Sequence, residues 1–129
     1  MTTKLPTTAR SLPIALLRAR ESVMGPIRAM LSDAGITEQQ WRVLRVLDET
    51  GPADPTKIAF EACLLLPSLT RILQKLEDKK LIIRGIDPQD RRRQIIQIAP
   101  DGVEMIKQLF VMIRPQTRFH DLRERNTLS

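Results

Sequence analysis

The chain has 129 residues, which is enough for one domain with a modest core and too few for two independent ones. Its 21 Lys and Arg residues exceed its 15 Asp and Glu residues, and the net charge of +6 favours a polyanionic partner over an enzyme for anionic substrates. One cysteine excludes an intramolecular disulfide, and no apolar run approaches the roughly 20 residues that cross a bilayer. The first thirty residues lack the unbroken apolar stretch of a signal peptide, so we expect a cytoplasmic protein.

A first helix is predicted after the polar N-terminal segment. Ser11 and Pro13 are typical of a helix start. Gly25 and Pro26 interrupt the helical pattern, and proline removes a helix hydrogen bond and clashes with the preceding turn. We therefore expect a kink or a break there. The apolar residues at intervals of three and four are Leu12, Leu16, Ala19, Val23, Ile27 and Met30.

The second predicted helix has a well-defined start. Thr37 followed by Gln40 at the third position is the pattern of a capping box, and Ile36 and Trp41 flank it as a hydrophobic staple. Gly51, followed by a proline, ends the helix. Because Trp41 lies on the apolar side of the helix start, we expect it to be a core residue rather than a ligand contact.

Two short helices joined by a tight turn are predicted next. Asp54 and Pro55 are typical of an N-cap and a first helical position, and this helix ends near Cys63. After a connector of three leucines, Pro67 opens the second helix. So short a connection forces a steep crossing, as in a helix-turn-helix. The second helix carries a polar face that is either solvated or reads a nucleic-acid groove: Ser68, Thr70, Arg71, Gln74 and Lys75.

Residues 81 to 99 predict a β-hairpin with a basic loop. Residues 81 to 86 and 94 to 99 have strand character, and the loop between them contains Arg91, Arg92 and Arg93. A run of charges is commonly a solvated turn. Directly after a groove-reading helix, a basic loop can also reach an adjacent minor groove, so we interpret these arginines as nucleic-acid contacts. The predicted fold is mainly α with a small β-hairpin wing, a winged helix-turn-helix.

A last helix is predicted from residue 101, with apolar residues at helical spacing until Pro115, where we expect it to end. Residues 116 to 129 have little apolar periodicity, which predicts a frayed or disordered tail. His120 is the one histidine of the chain, so neither a His-dependent triad nor a His-rich metal cluster can be assembled. We expect no enzyme, no cofactor and no metal site.

The wing and three other segments carry a family resemblance. TEQQWRVLRVL at 37 to 47, ACLLLPSLTRIL at 62 to 73 and ALLRARESVM at 15 to 24 are similar to regulators of homoprotocatechuate (4-hydroxyphenylacetate) degradation. Those regulators belong to the MarR family, and the similarity runs from about residue 12 to 110. The resemblance implies a homodimer that binds a double-stranded DNA operator, most simply as a repressor of an aromatic-acid catabolic operon. The wing residues that resemble the family's D-x-R, strand, T-x-x-G pattern are Asp90, Arg91, Arg92, Ile96, Ile98 and Gly102.

The resemblance also implies roles for individual residues. Asp90 matches the acid that orients the wing arginine, and Arg92 matches the arginine that enters the minor groove. Arg71 is expected to read a base, because a bidentate arginine–guanine contact contributes about 1 to 3 kcal/mol of discrimination. Lys75 and Lys57 are expected to hold phosphates. The residues that match the start of the recognition helix are Ser68, Thr70 and Arg71.

By the same resemblance, residues 36 to 99 form the DNA-binding lobe. Family members continue after the wing through two further helices, so we expect either a dimer interface reduced to residues 12 to 31 and 101 to 114 or a C-terminus that is truncated or altered relative to the family. Ala99 replaces the family's helix-capping threonine, so we expect the last helix to start less firmly, by about 1 kcal/mol. The implied effector is a small phenolic or aromatic carboxylate, which needs a cation. The candidates are Arg18, Arg20 and Arg42, each of which is equally a surface residue or a partner of Glu21, Glu38 or Asp48.

Two other functions remain open from the sequence. Some members of the family sense oxidants through a thiol, so Cys63 supports a redox-responsive regulator. A small buried apolar residue is the simpler interpretation of Cys63, because no basic residue adjoins it. The third possibility is a winged-helix protein-interaction module without a DNA site.

Overall fold

The structure is a computed structural model that describes the backbone of residues 11 to 126 and the side chains of residues 11 to 113. The described backbone forms five helices and one antiparallel β-hairpin, which agrees with the predicted fold. In chain order the elements are α1 (Leu12–Asp33), α2 (Glu38–Thr50), α3 (Pro55–Glu61), α4 (Leu66–Asp78), β1 (Ile82–Ile86), β2 (Gln94–Ile98) and α5 (Pro100–Asn126).

The predicted capping of α2 is confirmed. The backbone N–H of Gln40 donates to Thr37 Oγ1 at 3.1 Å, and the backbone N–H of Thr37 donates to Gln40 Oε1 at 3.1 Å. Gly51 ends the helix with a φ of 79°, a conformation that glycine adopts without steric cost. Trp41 is half-buried and packs against the core, as expected.

Helix α2 is the centre of the hydrophobic core. It contacts every other helix and β2, so its apolar stripe is covered from several directions. Burying one such side chain contributes about 1.5 to 3 kcal/mol, and the stripe therefore fixes where the neighbouring helices lie. The largest fully buried side chains are Leu31, Val43, Leu44, Leu47, Ile58, Leu69, Leu73, Leu76, Ile96 and Leu109.

The turn between α3 and α4 corrects one prediction. Cys63 is exposed rather than a small buried residue, and it has a positive φ of 55°. At this turn Ala62 is buried and Leu64 is half-buried against the core, so the residues on either side of Cys63 occupy the inward positions. Helix α4 begins at Leu66, which we had assigned to the connector.

Two prolines that were expected to interrupt helices lie inside them. Helix α1 is continuous through Pro26, so the sequence signal there does not mark a break. Helix α5 continues past Pro115 to Asn126, so the predicted end at Pro115 was wrong, and the backbone of residues 116 to 126 is helical. A proline removes one helix hydrogen bond at a cost of about 3 kcal/mol, and helices of 22 and 27 residues keep many others on both sides. Residues 127 to 129 lie outside the described residues, as does the side chain of His120.

The wing is attached to the rest of the lobe by backbone hydrogen bonds. In the β1–β2 register Ile82 faces Ile98, and Ile96 on β2 exchanges two hydrogen bonds with Ala53, at 3.0 and 2.8 Å. Leu81 accepts a hydrogen bond from the Ala99 amide at 2.9 Å, directly before α5. The wing therefore starts from a fixed base between α3 and α5.

Gly102 allows α5 to approach the base of the hairpin closely, at Leu81 and Ile98, which yields a stability prediction. A Cβ at this position would overlap the Leu81 carbonyl oxygen and lie 2.8 Å from Ile98 Cγ1. We expect Gly102→Ala to lower the free energy of unfolding by about 1 to 3 kcal/mol, measured by urea denaturation at fixed protein concentration. Gly85→Ala is the control, since a Cβ at Gly85 meets nothing within 4 Å. Equal stability of the two variants would show that the approach at Gly102 is not tight.

Candidate nucleic-acid interface

The polar face of α4 lies in solvent. All five residues that were expected to face a groove are exposed, while Leu69, Leu73 and Leu76 on the opposite face are buried. A groove of about 420 Å³ separates this face from the start of α2 and is lined in part by Ser68 and Arg71. The amphipathic pattern of α4 therefore places its polar residues where another molecule can reach them.

The five residues of that face are not equivalent. The side chains of Arg71 and Lys75 form no ion pair or hydrogen bond with any described residue, so their charges are free. Gln74 is held within the subunit: its amide oxygen accepts from Arg84 Nη2 at 3.0 Å, and its nitrogen donates to Asp78 at 3.0 Å. Gln74 is therefore less available for a ligand than its sequence position indicated.

The loop of the wing is organised by two aspartates through its backbone. Asp90 Oδ1 accepts from the Arg92 amide at 3.0 Å, and Asp87 Oδ1 accepts from the Gln89 amide at 2.9 Å. The Arg93 amide donates to the Asp90 carbonyl oxygen at 2.9 Å. Asp90 thus fixes the position of Arg92 through the main chain and not through the guanidinium group.

The three wing arginines have different surroundings. Arg91 and Arg92 are exposed, and neither side chain pairs with a described residue. Arg93 instead forms an ion pair with Asp54 Oδ2 at 2.5 Å, which ties the wing to the start of α3. Asp54 also accepts from the Lys57 amide at 2.8 Å, and this hydrogen bond, followed by Arg93, lowers the pKa of the Asp54 carboxyl. Two of the three wing charges therefore remain free.

A second groove, of about 730 Å³, lies between α3 and the wing. Lys57 and Arg92 provide positive charge on its lining, and Phe60 and Leu66 provide an exposed apolar surface. Five exposed cations thus lie on these elements: Lys57 and Arg92 on the lining of this groove, Arg71 and Lys75 on α4, and Arg91 in the wing loop.

The three candidate effector cations are not brought together by any contact of the described residues. Arg20 forms an ion pair with Glu38 and lies 3.8 Å from Glu21. Arg42 donates to the Cys63 carbonyl oxygen at 3.4 Å, and its buried Nε has no partner. The side chain of Arg18 is exposed on α1.

Sequence reasoning missed three cationic residues that connect the elements. Arg28 binds both Glu21 and Glu38, and these carboxylates raise its pKa further above the ordinary arginine value. The spacing of seven residues between Glu21 and Arg28 is two helical turns and was a usable signal. Lys79 and Arg84 contact residues of other elements, which no local spacing reveals.

The comparisons with known proteins agree with this geometry. A sequence model of the MarR family matches residues 36–93, which hold α2, α3, α4, β1 and the wing loop. The HTH-type transcriptional regulator FarR of Neisseria gonorrhoeae is 39% identical over 99 residues, or 77% of this chain and 68% of FarR. The chain belongs to the MarR family.

Two further relatives of this MarR-family protein concern aromatic acids. The homoprotocatechuate degradative operon repressor of Escherichia coli is 41% identical over 92 residues, which cover 71% of this chain and 62% of that repressor. The chain thus spans about two thirds of these curated relatives. The crystal structure of NadR in complex with 4-hydroxyphenylacetate superposes with a TM-score of 0.78 at 35% identity, covering 99% of this chain and 92% of NadR.

The fold is also that of a more distant relative. A mutant of Escherichia coli MarR complexed with operator DNA gives a TM-score of 0.73 at 21% identity, over 84% of this chain and 79% of MarR. Among its described helices, this MarR-family protein has none that is both long and apolar enough for a membrane span. Its described residues also contain no group of three or more His, Cys, Asp and Glu side chains suited to a metal ion.

The Asp54–Arg93 pair leads to a prediction about pH. Because the pKa of Asp54 is lowered on folding, its ionised form contributes stability that is complete above its unfolded value of 3.8 and is lost as pH falls through the folded value. Asn caps a helix about as well as Asp, so Asp54→Asn removes mainly the charge. We expect this variant to be less stable than the wild type at pH 7 and to lose less stability between pH 6 and pH 3, measured by urea denaturation at each pH.

The matched control is Asp48→Asn, at an exposed carboxylate on α2 that pairs with no described residue. This control should follow the wild-type pH profile. If Asp54→Asn also followed that profile, the ionised Asp54 carboxylate, with its hydrogen bond from the Lys57 amide and its ion pair with Arg93, would not contribute to folding stability.

Proposed function

We propose that this protein is a homodimeric transcription repressor that binds a double-stranded DNA operator and is released from it by a small phenolic or aromatic carboxylate. The observation that carries the proposal is the set of exposed cations that pair with no described residue, Arg71 and Lys75 on α4 and Arg91 and Arg92 on the wing. Free guanidinium and ammonium groups in that arrangement suit a duplex, whose phosphates supply the opposite charge. A cytoplasmic location and the absence of catalytic activity go with this role.

In the proposed complex α4 enters the major groove. Its N-terminal residues, including Ser68 and Thr70, approach the duplex, and Arg71 reads a base edge. Lys75 and Lys57 contact phosphates on either side. Gln74 takes part only if it leaves Arg84 and Asp78.

The wing takes the adjacent minor groove in the same complex. Arg92 is the inserted arginine, with Arg91 beside it, because both are exposed and held at the tip of a hairpin with a fixed base. Asp90 and Arg93 do not contact DNA in this arrangement. They hold the loop, Asp90 through the Arg92 amide and Arg93 through Asp54.

The partner subunit is proposed to cover apolar residues on α1 and α5. Residues of these two helices that lie within the expected interface of 12 to 31 and 101 to 114 are exposed although they are large and apolar. A second copy would remove them from water, and a two-fold axis would present two copies of α4 to two half-sites. These residues are Leu12, Leu16, Leu17, Val23, Phe110, Val111 and Met112.

The chemical class of the effector is supported by the relatives. A homoprotocatechuate operon repressor and a structure with bound 4-hydroxyphenylacetate stand at 41% and 35% identity, respectively. Among the candidate cations, Arg18 has a free side chain and Arg42 has a buried Nε without a partner, whereas Arg20 would have to leave Glu38. An acid that prefers a dimer with the wrong α4 spacing would shift the population away from the DNA-bound form.

Removal of the wing charge tests the DNA interface. In Arg92→Ala we expect weaker binding to a duplex enriched from a random pool by the wild type, and a salt dependence of log K that is shallower by about 1 per subunit. Fluorescence anisotropy at several salt concentrations measures both. Lys107→Ala, which removes an exposed cation on α5, should keep the wild-type slope, and sedimentation checks that each variant keeps its oligomeric state. Wild-type behaviour of Arg92→Ala would exclude the wing as a DNA contact, whereas a wild type that enriches no duplex would favour a protein-interaction module.

The effector proposal is tested by thermal shift. We expect 4-hydroxyphenylacetate and 3,4-dihydroxyphenylacetate to raise the Tm, because a ligand selective for the folded state stabilises it by about 2.7 kcal/mol at 100 times its Kd. The matched alcohol, 4-hydroxyphenylethanol, lacks the carboxylate and should leave the Tm unchanged. A panel in which no acid raises the Tm or releases DNA would contradict the proposal.

The same DNA-release assay tests the second candidate, a redox-responsive regulator, which gains support from the exposure of Cys63. If peroxide released DNA from the wild type but not from Cys63→Ser, oxidation of Cys63 and not an aromatic acid would be the regulatory signal.

A further inference from the structure

The first turn of α2 is held by α1 through a network of charged side chains. Glu38 accepts from Arg20 with one carboxylate oxygen and from Arg28 Nε, at 3.2 Å, with the other. Arg28 in turn donates to both carboxylate oxygens of Glu21 at 2.8 Å. The Glu38 side chain is only 14% exposed, so this network lies partly between the helices and not entirely in solvent. Two arginines of α1 thus converge on one carboxylate of α2.

The same turn of α2 is held by the end of α4 from another direction. Lys79, the C-cap residue of α4, donates through Nζ to the Gly35 carbonyl oxygen at 2.6 Å and to Gln40 Oε1 at 3.1 Å. Gln40 is 3% exposed, and its Oε1 also accepts from the Thr37 amide in the capping box. The lysine therefore binds both the connection between α1 and α2 and the cap of α2.

These contacts make a continuous path from α1 to the recognition helix. Glu38 and Gln40 lie two positions apart in one helical turn, with Glu38 bound to α1 and Gln40 bound to α4. These ion pairs and hydrogen bonds restrict the relative orientation of the helices more than apolar packing alone, because hydrogen bonds have preferred angles and apolar contacts do not. A shift of α1 relative to α2 has to move this turn or break these bonds.

We propose that Glu38 and Lys79 are positioning residues for DNA reading, which transmit the placement of the dimerisation helix α1 to the recognition helix α4. The inference rests on the proposed function and specifies which contacts connect α1 to α4. An effector that moves α1 changes the spacing of the two α4 helices in the dimer through the first turn of α2. Neither residue contacts DNA in the proposed complex.

A merely structural role would give a different result. Ion pairs that only stabilise the fold change the Tm when they are removed, but they leave the ratio of DNA affinities with and without effector unchanged. The ratio itself is the coupling between the two sites, and for coupled sites it is typically about 5 to 150. Coupling therefore separates positioning from stability.

The test compares Glu38→Gln and Lys79→Met with matched neighbours that lose the same charge. Asp48→Asn is the control for Glu38, and Lys80→Met is the control for Lys79, since neither exposed control side chain pairs with a described residue. For each protein, anisotropy gives the Kd for DNA without and with saturating 4-hydroxyphenylacetate, and calorimetry gives the Kd for the acid alone. We expect the coupling ratio to fall below about 3 in both variants, while the Kd for the acid changes less than about twofold in Lys79→Met, whose ion contacts include none of the candidate effector cations. Lys79→Arg should restore most of the coupling.

A second measurement does not depend on any effector. In the free protein, hydrogen exchange of the amides of residues 74 to 80, at the end of α4 and directly after it, should accelerate in Glu38→Gln, although Glu38 lies on α2. It should stay at the wild-type rate in Asp48→Asn. If exchange changed only around residues 34 to 40, or if the coupling ratio stayed at the wild-type value, the relay would be overturned. A wild type that ignores the acid would instead refute the proposed effector, and the exchange experiment would still decide the relay.

Discussion

The burial of the apolar stripe of α2 is the constraint from which the rest of the structure follows. Because Val43, Leu44 and Leu47 are covered by the other helices and by β2, those elements have little freedom to lie elsewhere. Helix α4 satisfies this constraint with Leu69, Leu73 and Leu76, and a helix that turns one face inward must present the other to solvent. The accessibility of the polar face is thus a result of core packing. The wing is packed against the same core through Ile96 of β2, whose side chain is fully buried.

Pairing of charges decides which cations remain available to a polyanion. Arg20, Arg28, Arg84 and Arg93 are all engaged by carboxylates within the subunit, and these ion pairs connect helices to each other or to the wing. The exposed cations Lys57, Arg71, Lys75, Arg91 and Arg92 have no such partner among the described residues. The net charge of +6 is therefore less informative than its distribution, because paired and unpaired arginines count equally in the sum. Carboxylates inside the lobe keep its framework together and leave the outer side positive.

The sequence contained the local features of this fold but few of its long-range contacts. The capping box at Thr37 and the N-cap at Asp54 depend on residues three positions apart, and both were predicted correctly. The pairs Arg93–Asp54 and Lys79–Gly35 join residues 39 and 44 positions apart, and only the tertiary fold brings them together. The exposure of Cys63 depends on a single positive φ at a turn, for which cysteine gives no sequence signal. The continuation of α5 through Pro115 was not predicted, because the energetic cost of a proline inside a helix was considered without the hydrogen bonds that the rest of a 27-residue helix retains.

Two exposed surfaces of the protein favour different kinds of partner. Exposed leucines and other large apolar residues on α1 and α5 favour removal from water, whereas the unpaired cations near α4 and the wing favour a polyanion. A second copy on the apolar surface doubles the cationic one and sets the distance between its halves. The spacing of the halves then depends on how α1 is attached to the lobe, and the ion pairs of that attachment lie at the first turn of α2. In a dimer of this kind, a small displacement at that turn can regulate DNA binding. The affinity for DNA depends on the distance between the two α4 helices, which changes even when the shape of each subunit does not.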